Sequence, residues 1–439
     1  MSILIVLACI ALLILLITAF KVNAFLSFLV VSTVAALSLG VSPSDVGKTL
    51  QQGVGDMLGS LVIVIMAGSM LGKLVAETGA AQQIASGLMK LFGEKYLQVA
   101  FMITGFIIGI PLFYNVGFVL VFPLIATVVY RYKLPAVYVG LPMVASLSVT
   151  HGFLPPHPSP VALVGQFKAD MGLTLLYGMV IAIPTVILAG PIFSKSLKYL
   201  KPNLIQTFQS EGLPEDKLPS LFNSIFSAML PVLLLAITTI AGFYITKGDS
   251  AYQLLAFIGD SSVVMLISLC VATFTLGIGR GLKMKAIMEY YGSAVKDVAM
   301  IILIMGGAGA LKQVLISSGV SAEIANALQQ FSIHPLVMGW LIACLIRVCL
   351  GSATVAGLTA AGIVAPLLVA NPSIHPSLMA LSVGAGSLMF SHVNDPGFWL
   401  FKEYFNLSIK DTIKSWSLME TIVSVCGLIG VLILDVVIA

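Results

Sequence analysis

The chain has 439 residues, of which 59% are hydrophobic and only 9% carry a charge. Soluble domains carry about a quarter charged residues, so this composition excludes a water-soluble enzyme. The net charge of +4 is small and scattered along the chain, which excludes a basic surface for nucleic acid. The apolar blocks predict an all-α polytopic protein of the lipid bilayer, because they reach the roughly 20 residues of a spanning helix.

The first apolar block, 2–20, has no basic residue before it and no small-residue cleavage site after it. We therefore expect a retained membrane span here, and not a signal peptide. The five cysteines occur singly in apolar segments and predict neither a disulfide nor a metal site. The sequence contains no GxxxxGKS or GxxxxGKT nucleotide-binding loop, and it predicts no metal and no cofactor.

Apolar blocks between polar segments predict about ten membrane-spanning helices. These lie near 2–20, 22–41, 57–78, 136–167, 174–193, 221–246, 261–279, 298–318, 376–401 and 415–436. Two further blocks, 96–130 and 335–370, are interrupted near their middle by glycine and proline in the first and by Gly351 in the second. Two full crossings and a turn need more than about 40 residues, so each block is predicted to be a re-entrant hairpin.

Lysine and arginine predict the orientation, since cytoplasmic loops collect basic residues. With the N-terminus outside and both hairpins re-entrant, the basic clusters all fall in the cytoplasm. The clusters are Lys21, Lys90 with Lys95, Arg131 with Lys133, Lys195 to Lys217, Arg280 to Lys285, and Lys402 to Lys414. The segment 200–220 is therefore predicted to be a cytoplasmic linker between two halves, 1–199 and 221–439.

The two halves align when the chain is shifted by 240 residues (319 minus 79). The shift pairs Leu71 with Leu311, Gly79 with Gly319, Ile84 with Ile324, Leu88 with Leu328, and Pro156 with Pro396. It also aligns the hairpins and the broken helices 136–167 and 376–401. Residues 79–95 are predicted inside and 319–335 outside, so the repeats are inverted. Inverted repeats with broken helices are typical of secondary transporters with a site near the midplane; a channel is the alternative, but no filter motif or charge ring occurs.

Polar residues of the first half lie at two interruptions. The string HGFLPPHP at 151–158 has three prolines that stop the helix and leave carbonyls needing partners at membrane depth. His151 and His157 are either substrate or proton ligands or hydrogen-bonding partners of the broken helix, and both interpretations stay open. At the hairpin tip, Tyr114 and Asn115 offer neutral hydrogen bonds to a substrate, or cap a turn.

Ser391, His392, Asn394 and Asp395 occupy the matching interruption of the second half. An acid inside a membrane is expensive and usually functional, so Asp395 is the predicted carrier of a coupling proton. The alternative is that Asp395 caps the helix starting at Pro396.

The second hairpin carries Arg347 followed by Ser352 and Thr354. Hydroxyls and free amides at a helix start bind anions, and an arginine fork suits a carboxylate. These three residues are therefore predicted to bind a substrate carboxylate. The alternatives for Arg347 are a structural pair with Asp395 or a side chain that extends toward the membrane surface.

Three strings resemble the gluconate:proton symporter family (GntP) of the ion-transporter superfamily: GFLPPHP (152–158), GSATVA (351–356) and SHVNDPGFWLFKEYF (391–405). The resemblance covers the whole chain, including KQVLISSG (312–319) and IKSWSLMET (413–421). It implies uptake of gluconate or a related sugar acid with a proton across the bacterial inner membrane, and a homodimer. It also implies a substrate site between the hairpin tips and the broken helices, at Asn115, 151–157, 352–354 and 391–395.

One departure from that family pattern bears on coupling. Family members carry an acid in the Phe-Tyr-x-Val-Gly context, whereas this chain has the neutral Asn115. Three functions therefore stay open: a sugar-acid:proton symporter; a uniporter or exchanger, without proton coupling, for another small carboxylate or an amino acid such as D-serine; and a channel-like or receptor protein.

Overall fold

The computed structural model describes residues 2–200, 213–245, 250–320, 323 and 333–438. The regular secondary structure of these residues is entirely helical. The main helices are α1 (Ser2–Thr18), α2 (Ala24–Ser38), α3 (Pro43–Glu77), α4 (Ala80–Phe92), α5 (Leu97–Gly109), α6 (Tyr114–Tyr132), α7 (Ala136–Phe153), α8 (Pro158–Phe167), α9 (Met171–Ser196), α10 (Leu221–Gly242), α11 (Ser250–Gly259), α12 (Ser261–Arg280), α13 (Met284–Ser317), α14 (Pro335–Leu350), α15 (Ala353–Ala370), α16 (Pro376–Gly386), α17 (Pro396–Tyr404) and α18 (Ile409–Ile438).

Seven helical segments of the described chain are long and apolar enough to cross a membrane. They are α7 with α8 as one broken span, α9, α10, α12, α13, α15 and α18. Helix α3 bends by 45° after Gly59 and is an eighth if its two parts form one span. The all-helical, multi-span prediction is confirmed. The count of ten is not: α1 and α2 have 17 and 15 residues, fewer than the roughly 20 of a full crossing.

Several boundaries differ from the predicted spans because hydropathy does not detect amphipathic helix. Helix α3 begins at Pro43, well before the predicted start at 57, and its polar first half buries Val46, Thr49 and Met57 at helical spacing. Helix α13 likewise begins at Met284, before the predicted 298. The amphipathic helix α4 was not predicted. The predicted broken helix 376–401 consists of two helices, α16 and α17, separated by residues 387–395.

The two predicted hairpin blocks each contain two helices joined at a short break. Helices α5 and α6 are separated by residues 110–113, and α14 and α15 by Gly351 and Ser352. Gly351 has a φ of +74°, a backbone region that favours glycine. An added Cβ there would also lie 2.2 Å from the carbonyl oxygen of Asn394. The position of this break therefore follows from local sequence.

Helices α3 and α13 pack along each other. An added Cβ on Gly53 would lie 2.4 Å from the Gly309 carbonyl oxygen, so only glycine allows this approach. The Ser69 hydroxyl donates to the Ala294 carbonyl oxygen at 3.0 Å. Because the contacts move forward along α3 and backward along α13, the two helices are antiparallel. The broken span α7–α8 is the most enclosed candidate, with 89% of its apolar stretch buried.

Part of the predicted linker and of the second repeat lies outside the described residues. This applies to residues 201–212, to Ile324 and Leu328, and to most of 319–335. The described end of the linker contacts α4: Gln82 and the Leu213 backbone exchange two hydrogen bonds of 2.9 Å. Lys90 lies 3.2 Å from Glu215. The end of the linker is therefore attached to the first half of the chain.

Candidate functional site

A cavity of about 410 Å³ lies where the helix breaks meet, a size within the usual range for small ligands. Seven of the predicted site residues line it: Tyr114, Asn115, His151, Arg347, Ser352, Thr354 and Asp395. The structure thus brings together residues from the α5–α6 and α14–α15 breaks, from α7 and from the start of α17. The cavity also contains polar residues that were not predicted: Ser148, Asp297, Trp416 and Glu420.

Arg347 and Asp395 form a buried ion pair. Arg347 is 3% exposed, and its Nη2 donates to Asp395 Oδ2. The other carboxylate oxygen of Asp395 accepts the Gly397 amide at 2.7 Å, which caps α17. The structure therefore contains both the helix cap and the charge pair that the sequence left as alternatives. Within the described chain, Nε and Nη1 of Arg347 are buried without a hydrogen-bond partner, so the guanidinium is only partly engaged.

Ser391 supports Asp395 and does not line the cavity. Its hydroxyl donates to Asp395 Oδ2, and the Trp416 indole nitrogen donates to that hydroxyl at 2.7 Å. The Trp416 ring packs against Tyr114, with centroids 5.4 Å apart. This chain of contacts connects α18 through the interruption before α17 to the start of α6, and Ser391 donates to the same Asp395 oxygen that Arg347 contacts.

His157, His392 and Asn394 also lie outside the cavity lining, and each contacts a carbonyl at the end of α5 or α14. His157 Nε2 is 2.9 Å from the carbonyl oxygens of both Gly109 and Leu112, at the end of α5. In the second half, Asn394 donates to the Val348 carbonyl at 2.8 Å, and His392 Nε2 lies 3.0 Å from the same oxygen. Carbonyls at a helix end lack partners within the helix. These side chains supply the partners.

His151 and Tyr114 present polar atoms without protein partners. The His151 ring lies edge-on to His157, with centroids 4.8 Å apart. Within the described chain, His151 Nδ1 and the Tyr114 hydroxyl are buried and make no hydrogen bond. Buried polar groups are normally paired, so both groups point to a ligand or water in the cavity. Asn115 is exposed at the same surface.

Glu420 is one of the four polar cavity residues that the sequence did not predict. It is 2% exposed, it lines the cavity, and within the described chain its Oε2 has no hydrogen-bond partner. It stands four residues after Trp416 on α18, inside the IKSWSLMET string. It lies inside the predicted span 415–436, and an acid inside a membrane span was the available signal. Asp395 is therefore one of three acids that line the cavity in the described chain, with Asp297 and Glu420.

Comparison with known proteins decides the family. The GntP family permease model matches residues 1–437. The chain belongs to this family. It is 49% identical to a high-affinity gluconate transporter of Escherichia coli K12, over 97% of this chain and 98% of the relative. It is 45% identical to the Gnt-II system L-idonate transporter of the same organism, over the full length of both.

A solved structure agrees with the fold of this GntP-family permease. The YdaH transporter of Alcanivorax borkumensis superposes with a TM-score of 0.66 at 15% identity, covering 94% of this chain and 97% of that one. The family and the apolar helices together identify a multi-pass transport protein of the inner membrane, and not an enzyme. The predicted family, class and location are confirmed.

Proposed function

We propose that this GntP-family permease is a secondary active transporter that imports gluconate or a related sugar acid together with a proton. The observation that carries the proposal is Arg347, a buried cation in the cavity with two nitrogens free of partners in the described chain. Planar guanidinium donors suit a carboxylate. Two relatives are named for gluconate and L-idonate, which are both sugar acids.

The proposed site divides the substrate into a carboxylate end and a hydroxyl end. The carboxylate binds Arg347 and the start of α15, where Ser352 caps the helix and the first-turn amides lack helical partners. Thr354, His151 and Asn115 line the remaining wall and contact the sugar hydroxyls. His157, Ser391, His392 and Asn394 hold the walls in place through the contacts described above.

We also propose that residues 1–199 and 221–439 are inverted repeats with two re-entrant hairpins. The helix bounds support the 240-residue offset: α3 ends at Glu77 and α13 at Ser317, and α6 and α15 begin at Tyr114 and Ala353. The first hairpin arms, α5 and α14, have 13 and 16 residues. At 1.5 Å per residue they measure about 20 and 24 Å, less than the roughly 30 Å hydrocarbon core.

Paired contacts support the inverted relationship between the halves. Adding 240 to 53 gives 293, and subtracting 240 from 309 gives 69. The repeat therefore predicts that the contact between Gly53 and Gly309 has a counterpart between residues 293 and 69. The Ser69 to Ala294 hydrogen bond lies within one residue of that position. A twofold axis relating antiparallel α3 and α13 produces such reciprocal contacts. The capping of α5 by His157 and of α14 by Asn394 repeats in the same way.

Uptake of radiolabelled gluconate into proteoliposomes tests the proposed function. Saturable accumulation driven by an imposed pH gradient supports proton symport. Counterflow that is independent of the pH gradient favours the uniporter or exchanger. A linear flux of gluconate, or no flux, favours a channel or receptor. Competition by L-idonate and by D-serine separates a sugar-acid site from an amino-acid site. The homodimer implied by the resemblance is tested by light scattering of the purified protein in detergent.

A further inference from the structure

We propose that Glu420 carries the coupling proton and that Asp395 is the fixed counter-ion of Arg347. This inference rests on the proposed function, since a coupling proton exists only in a proton-driven transporter. It reassigns the role that the sequence gave to Asp395. The argument compares the three acids that line the cavity in the described chain: Asp297, Asp395 and Glu420.

Asp395 is occupied as an acceptor. Its two oxygens receive Arg347, the Ser391 hydroxyl and the Gly397 amide. A proton on Asp395 would leave the buried Arg347 cation without its counter-ion, which is strongly unfavourable. It would also weaken the cap of α17. The carboxylate of Asp395 therefore positions Arg347 and does not exchange protons during transport.

Asp297 has a cation partner outside the substrate region. Its carboxylate lies 3.7 Å from Lys73, which also lies 3.4 Å from Glu77. The Asp297 side chain is 52% exposed, so water and Lys73 stabilise its charge. We therefore do not assign the coupling proton to Asp297.

Glu420 differs from both aspartates because no cation of the described chain lies within ion-pair distance of it. It is buried, and one of its oxygens has no partner in the described chain. An unpaired buried carboxylate is costly when charged, and Glu420 is protonated while the cavity is closed. Water that enters an open cavity solvates the carboxylate and allows the proton to leave. Opening and closing of the site therefore control its protonation.

The charges around Glu420 couple its protonation to the binding of the substrate, so that each favours the other. Arg347 from α14 and Asp395 from the interruption before α17 have opposite charges, while Tyr114 from α6 and His151 from α7 contribute neutral polar groups. Asp297 from α13 is paired with Lys73. A substrate carboxylate at Arg347 adds negative charge beside Glu420 and favours its protonated form. By linkage, protonated Glu420 binds the anionic substrate more tightly. This mutual dependence is what a symporter requires.

Glu420→Gln tests the assignment because it keeps the shape of the side chain and removes the titration. The purified variants are reconstituted in proteoliposomes, and three quantities are measured: gluconate accumulation driven by a pH gradient, counterflow at equal pH, and proton influx on gluconate addition, read with an internal pH dye. For Glu420→Gln we expect accumulation and proton influx to fall by at least about tenfold, with counterflow still measurable. Glu403→Gln is the matched control, since its side chain is 59% exposed; we expect it to match wild type.

Glu420→Asp separates loss of the titratable group from misfolding of the variant. It keeps the titratable group one methylene shorter, so gradient-driven accumulation should persist at a reduced rate, with a shifted pH profile. The assignment is overturned if Glu420→Gln concentrates gluconate as wild type does, or if Glu420→Asp is folded and as uncoupled as the glutamine variant. Failure of wild type to respond to the pH gradient instead overturns proton symport itself. The two failures are therefore distinguishable.

Discussion

The Arg347→Lys substitution keeps the positive charge of the cavity but removes the planar guanidinium. In the structure Nη2 of Arg347 binds Asp395 while Nε and Nη1 have no partner in the described chain. A lysine ammonium would have to share one point charge between Asp395 and the substrate. Loss of one charge-assisted hydrogen bond costs about 1.5–3 kcal/mol, which corresponds to a roughly 10- to 150-fold higher Kd. We expect weaker gluconate binding of this size in a folded protein.

Equilibrium binding of labelled gluconate to the detergent-purified protein measures this effect. Arg280→Lys makes the same chemical change outside the cavity, where Arg280 donates to a backbone carbonyl, and it should leave the Kd unchanged. Size-exclusion chromatography confirms that both variants are folded. A Kd for Arg347→Lys within twofold of wild type would refute the carboxylate assignment and leave Arg347 as the partner of Asp395 alone.

Three further predictions follow from the contacts of the site. Asp395→Asn removes the counter-ion of a buried cation, which costs about 3–5 kcal/mol, so we expect a lower Tm. The Tm should be partly restored in the Arg347→Met/Asp395→Asn double variant, and an unrestored Tm would contradict the buried pair. His157→Ala leaves two carbonyls at the end of α5 without a donor, which costs about 1–3 kcal/mol, so Tm and transport should fall. His157→Asn should recover part of the loss, and a wild-type Tm for His157→Ala would contradict this prediction. Single cysteines at positions 90 and 330, in a protein without native cysteines, should label from opposite sides of the membrane, and same-side labelling would exclude inverted repeats.

The breaks in the helices could be predicted because local chemistry causes them. Proline removes the amide that a helix needs, and Gly351 adopts a left-handed backbone that other residues avoid. The proposed repeat accounts for the meeting of the breaks at one cavity. Helix length was harder to predict where a helix is amphipathic. The polar first half of α3 has no hydropathy signal, although its inward face at Val46, Thr49 and Met57 is regular.

The partners of the polar residues could not be predicted, since they depend on contacts between distant segments. The sequence singled out His157 and Asn394 for their chemistry, but the carbonyls that they contact lie more than 40 residues away. Glu420 was missed for the same reason. Its place in the cavity depends on how α18 packs beside the interruption before α17, and α18 contains a wider π-helical turn at Ile413–Ser417. Such turns often occur at functional sites.

The two halves of the chain share a scaffold but divide the chemistry unequally. In each half a polar side chain contacts carbonyls at a helix end, His157 at the end of α5 and Asn394 at the end of α14. Yet Arg347, Asp395 and Glu420 all belong to the second half, whereas the first contributes neutral groups such as Asn115 and His151. Symmetry alone would place equal charge on both sides of the cavity. In the proposed function the charged wall binds the carboxylate and its proton while the other wall contacts hydroxyls, so we expect specificity to arise where the proposed repeats differ.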